Sequence, residues 1–123
     1  MKYLLLINKD EARFRSLSEG EREALRARYA AYGGRMIESG VLLAGAVLRP
    51  SETATTVRVR AGKRLITDGP FAETAEQIAG FAVIEVDDLD AALEWAAGHP
   101  DAEWASVEIR PMLPWTPPPG VAG

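Results

Sequence analysis

The sequence predicts an α+β fold: a ferredoxin-like βαββαβ sheet with a β-hairpin inserted in the middle. Two observations carry this expectation. Short apolar runs bounded by polar residues alternate with two stretches of helical periodicity, and their order reads strand, helix, strand, hairpin, strand, helix, strand. The 123 residues, 47% hydrophobic and 26% charged, suit one globular domain with one core. Such a plan sets both helices on one face of the sheet and leaves the other face bare.

Residues 2–8, KYLLLIN, are long enough for a buried strand and too short for a helix. Ser18 with Glu21 is a capping box, because hydroxyl and carboxylate together satisfy amides that a helix start leaves unpaired. Leu25, Tyr29, Tyr32 and Met36 then recur as one apolar stripe, and Gly40 ends the helix. Gly33 and Gly34 inside it predict a kink or close packing. Residues 41–48, VLLAGAVL, make a second strand in which Gly45 marks a bulge or a close backbone approach. Alternation over 55–60 and 64–68, joined by Ala61, Gly62 and Lys63, reads as a hairpin. Residues 80–86 form the next strand, and Asp87 or Asp88 caps a helix with the apolar face Leu89, Ala92, Leu93 and Ala96. His99 and Pro100 stop it, and residues 105–110 supply the last strand. The proline-rich remainder cannot continue a ladder, which divides the chain into a domain over 1–112 and an extended or disordered tail over 113–123. Trp115 in that tail either docks on a protein surface or hangs free.

Composition excludes several function classes. Residues 1–66 hold 13 Lys/Arg against 7 Asp/Glu and the rest hold 1 against 11, so the two halves attract each other. An isoelectric point near 5.0 with no clustered basic run argues against a nucleic-acid partner. Without cysteine there is no disulfide, thiolate metal site or cysteine nucleophile. His99 is the only histidine, the Asp87, Asp88 and Asp90 cluster lacks the glycine and terminal glutamate of a calcium loop, and no phosphate-binding glycine pattern occurs. No metal or cofactor is therefore expected. Neither a signal-peptide core nor an apolar run near about 20 residues is present, so no membrane partner and a cytoplasmic location are expected. The strands are apolar on both faces, which predicts a homodimer hiding the bare face of the sheet.

The segment 68–74, DGPFAET, is followed by Gly80 and Phe81, by EVDDLDAALEWA over 85–96, by Pro100 and by VEIRP over 107–111. With the opening KYLLLI and the ESGVLLAG stretch after the first helix, this pattern resembles the DGPF family of YCII-related proteins nearly throughout, up to about Met112. The resemblance implies a dimeric α+β barrel in which two ferredoxin-like sheets pack face to face. It assigns no reaction: members are mostly uncharacterised bacterial proteins, some encoded beside or fused to extracytoplasmic-function sigma factors, which implies a sigma factor as a partner. A histidine and aspartate pair has been proposed as catalytic in the broader group, with the histidine on the first helix. Counted back from the glycine closing that helix, the corresponding residue here is Tyr29. A tyrosine donates a hydrogen bond but does not replace imidazole as a base near neutral pH.

Two roles are open to Asp68, which precedes Gly69 and Pro70 at a strand end: to hold the turn by accepting amide hydrogen bonds, or to act as general base or ligand acceptor in the cleft beside the first helix. Glu73 is the second candidate catalytic carboxylate. Tyr29, Pro70, Phe71 and Thr74 are the candidate ligand-binding residues, with Phe71 offering either a stacking face or a loop anchor. His99 reads as a cap at the helix end, where the dipole favours its protonated form. Arg58, Arg60 and Arg64 give the hairpin a basic edge that receives an acidic partner or an anionic ligand, or else discourages stray strand pairing. Two functions follow: a small-molecule-binding or regulatory dimer, or a cofactor-free enzyme using carboxylate and tyrosine acid–base chemistry.

Overall fold

In the computed structural model, which describes residues 1–114 and 116–120, the chain runs β1 (Lys2–Asp10), α1 (Glu11–Ser16), α2 (Glu19–Ser39), β2 (Leu42–Val47), β3 (Thr55–Arg60), β4 (Lys63–Asp68), β5 (Glu76–Glu85), α3 (Leu89–Gly98) and β6 (Ser106–Pro111). Single 3₁₀ turns lie at Ser51–Thr53 and Pro100–Glu103. The reading of Trp115 falls outside the described residues. Set aside β3 and β4, and the sheet order β2-β5-β1-β6 with antiparallel neighbours is the ferredoxin-like α+β arrangement.

Strand alternation decides the two faces of this sheet. Tyr3 and Leu5 of β1 and Ala82 and Ile84 of β5 point at the helices and are buried, together with Tyr32 and Met36 of α2 and Ala92 and Ala96 of α3. Their register partners' neighbours Leu4, Leu6, Phe81 and Val83 therefore share the opposite face, which no helix covers.

Element ends depart from the periodicity in informative ways. β1 runs to Asp10, whose carboxylate accepts the Arg13 amide at 3.0 Å and starts α1, a six-residue helix too short for any stripe to reveal. The register of β1 against β5 shifts at Ile7 and Asn8, and past that bulge β5 begins at Glu76 rather than at Gly80. α2 has the capping box of Ser18 and Glu21 and closes on Gly40 in the left-handed region, φ 78°. It runs unbroken through Gly33 and Gly34, where an added Cβ would meet nothing within 4 Å, so close packing is not their reason. Gly45 is a close approach: a Cβ there would lie 2.9 Å from the Phe81 carbonyl oxygen.

β3 and β4 form a separate two-stranded sheet that projects from the end of β2, with Val57, Val59 and Ile66 exposed. Between the basic and acidic halves, the one side-chain ion pair among the described residues joins Arg28 to Glu103, with Nη1 3.1 Å from Oε2. Within the acidic half Arg110 also pairs with Glu108, and such exposed pairs contribute little. Among the described residues no helix is long and apolar enough to cross a membrane.

Candidate functional site

The structure divides the sequence-derived candidates between two places. Asp68 ends β4, and the chain turns there on Gly69 (φ 108°), whose amide donates to the Ala54 carbonyl at 2.7 Å. Asp68, Pro70, Glu73 and Thr74 line one open cleft of about 500 Å³ with Glu11, Arg15 and Glu52. The loop is tied internally by Gln77, whose Nε2 donates to the Ala72 carbonyl at 2.9 Å, and by the Thr74 hydroxyl, which donates to the Glu76 carbonyl. The Asp68 carboxylate accepts no hydrogen bond among the described residues, and both Asp68 and Glu73 are exposed. Phe71 is 80% exposed beside this cleft, with the Arg58 guanidinium 5.7 Å from its ring.

Tyr29 belongs elsewhere. It stands on the sheet-facing side of α2, and its hydroxyl donates to the carboxylate of Asp101 in the Pro100–Glu103 turn. Asp101 is the buried charged residue of the described chain, 4% exposed. Pro100 opens the turn that holds it, and His99 caps that turn: Nδ1 accepts the Asp101 amide at 3.0 Å. The His99 ring meets Tyr32 edge-on with centroids 4.9 Å apart and lies 5.7 Å from Tyr29. Lys9 completes the group from β1, its Nζ 5.3 Å from the Tyr29 ring and 4.4 Å from that of Phe14.

These groups close one end of a hollow of about 460 Å³ between α2 and the sheet. Its other walls come from Ile7, Met36, Leu42 and Val47 and from the backbone stretches around Gly45 and Gly80, so the hollow is largely apolar with a polar end. Burial raises the Tyr29 hydroxyl well above the ordinary phenol value, and the bond to Asp101 adds to the effect. Tyr32, whose hydroxyl donates to the Trp95 carbonyl at 2.7 Å, is pushed up to about 12 by burial. His99 moves the other way. Burial holds it below its ordinary 6.5, opposed by the Asp101 charge and assisted by that of Lys9. Desolvation thus works against the protonated imidazole that the helix dipole favours.

The sequence offered Tyr29 but not its partners. Asp101 and Lys9 carry no motif, and the one available signal was the run His99, Pro100, Asp101, in which proline fixes a turn between two groups able to serve a site. Among the described residues no group of three or more His, Asp or Glu is placed to hold a metal ion.

The chain is similar to an uncharacterized protein of Rhizobium meliloti (strain 1021), 36% identical over 119 residues that cover 95% of this chain and 96% of that one. It matches the YCII-related domain over residues 1–116. With its sheet order, helices and nearly full-length match in agreement, the chain belongs to the YCII-related family.

Proposed function

We propose that this protein binds a small organic molecule in the hollow beneath α2 and works as a homodimer. The observation that carries the reading is Asp101: a carboxylate removed from water is costly unless it is matched, and here the Tyr29 hydroxyl is its only side-chain donor among the described residues. A buried polar group at the end of an apolar hollow is the usual make-up of a ligand site. The dimer is supported by the uncovered Leu4, Leu6, Phe81 and Val83 face and by the exposed apolar residues of the β3–β4 hairpin. The folded unit ends near Met112, with the segment after β6 as a tail. A sigma-factor partner would meet a surface rather than the hollow, and the basic hairpin edge is the surface that fits an acidic one.

A thermal-shift screen of metabolites tests the hollow, since a ligand that binds only the folded state raises Tm. Hits are expected to vanish in Tyr29→Ala and Asp101→Asn. Hits that survive both substitutions would place the ligand elsewhere. A second reading, acid–base catalysis by Asp68 and Glu73 with Pro70, Phe71 and Thr74 as contacts, is favoured by the shared cleft and the unengaged Asp68 carboxylate. There, Asp68→Asn should abolish the effect of any compound whose binding Tyr29→Ala leaves intact.

A further inference from the structure

The lone pair of His99 is already in use. In a neutral imidazole one ring nitrogen accepts and the other carries the hydrogen. Because Nδ1 accepts the Asp101 amide at 3.0 Å, the hydrogen must sit on Nε2, and the ring cannot take a second proton without setting two N–H groups against each other. His99, which lines the hollow, is therefore fixed as a donor through Nε2 and is not a base. Nε2 has no hydrogen-bond partner among the described residues, and Oδ2 of Asp101 has none either. Two complementary groups, one donor and one acceptor, thus stand unmatched on neighbouring positions of the same wall.

Charge narrows the ligand further. Lys9 and Asp101 are the only ionised groups lining the hollow, one of each sign. With one charge of each sign the lining has no net preference for a cation or an anion, so a molecule without net charge suits the hollow. Its body must be apolar and compact, to lie against Ile7, Met36 and Leu42. We infer that the hollow takes a neutral hydroxy-carbonyl compound, whose carbonyl oxygen accepts from His99 Nε2 while its hydroxyl donates to Asp101 Oδ2. This rests on the reading of the hollow as the ligand site, and it names the chemistry of that ligand.

Two measurements test it on the intact protein. The first needs no ligand: a nitrogen–proton correlation spectrum of the imidazole at pH 7 is expected to show the hydrogen on Nε2 alone, and a hydrogen on Nδ1 overturns the inference. The second is a titration, followed by amide shifts, with 2-hydroxycyclohexanone, cyclohexanone, cyclohexanol and methylcyclohexane. The hydroxyketone should bind at least about tenfold tighter than any of the other three, because it alone offers a partner to both His99 Nε2 and Asp101 Oδ2. In Asp101→Asn, which puts an amide donor where the hydroxyl was received, the advantage over cyclohexanone should disappear. Equal binding of all four compounds in the hollow sinks the hydroxy-carbonyl inference but leaves the ligand site standing. Shifts confined to other surfaces sink both.

Discussion

Tyr29 and Asp101 show how one hydrogen bond decides what a buried charge costs. In Tyr29→Phe the ring still fills its place against His99, but the carboxylate loses its side-chain donor. The expected loss is about 1.5–3 kcal/mol, the usual worth of a hydrogen bond to a charged group, read as a lower urea midpoint with an unchanged slope. A loss below about 0.5 kcal/mol would mean that water already serves Asp101. His99 supplies a pH prediction of definite sign. The unfolded chain takes up a proton as the pH falls through 6.5 while the buried ring resists it, so stability declines on going down from about pH 6.5 until the folded imidazole itself titrates. Thermal unfolding of His99→Gln should be flatter across that window. The separate decline below 4.5 should persist, since Glu21 and Glu103 are held low by bonds to Ser18 and Arg28.

At the scale of elements, two glycines of opposite character separate backbone freedom from space. Gly34 lies within α2 with nothing near its missing Cβ, whereas a Cβ on Gly80 of β5 would stand 2.7 Å from the Ala46 carbonyl oxygen of β2. Gly34→Ala is expected to stabilise by about 0.5–1 kcal/mol, because the unfolded chain loses freedom and the helix loses nothing. Gly80→Ala should destabilise by about 1–3 kcal/mol by prying β2 from β5. Both are checked by urea unfolding, and equal signs would contradict the packing at this strand pair. The helices also show which local signals are sufficient. Ser18 and Glu21 set the start of α2 and Gly40 its end, through bonds that span only a few residues. The Asp10 cap of α1 has the same chemistry, but six residues leave no periodicity to accompany it.

Among the described residues no helix covers one apolar face of the main sheet, and β3 and β4 form a separate two-stranded sheet. Closing two such faces together removes both from water, which is the physical basis of the proposed homodimer. Sedimentation at micromolar concentration should return twice the chain mass, and Leu6→Glu, which charges the uncovered face while leaving the helix-facing core intact, should return single chains with unchanged helix content. Single chains for the unaltered protein at that concentration would remove the dimer. The charge asymmetry of the sequence acts at this scale too. Arg28 and Glu103 make the one side-chain ion pair that joins the two halves among the described residues, so the rest of that asymmetry is available to other surfaces.

The strands, the two longer helices with their caps and the hairpin were legible because each depends on neighbours in the sequence, whereas the six-residue α1 was not. Alternation fixes which side of β1 and β5 is buried, a three-and-four spacing fixes the stripe of α2, and the same chemistry yields the same local shape wherever it occurs. The DGPFAET segment drew attention to Asp68 and Glu73, and the fold does set them on one cleft, but as exposed carboxylates apart from Tyr29. The hollow with Tyr29, His99 and Asp101 could not be read in this way. Its defining bond joins side chains 72 residues apart, and only the antiparallel crossing of β1, β5 and β6 carries the end of α3 back against the middle of α2. Sequence proximity governs backbone conformation over a few residues, whereas burial and the pairing of distant polar groups are properties of the assembled layers, which is why tertiary structure alone made a site of these residues.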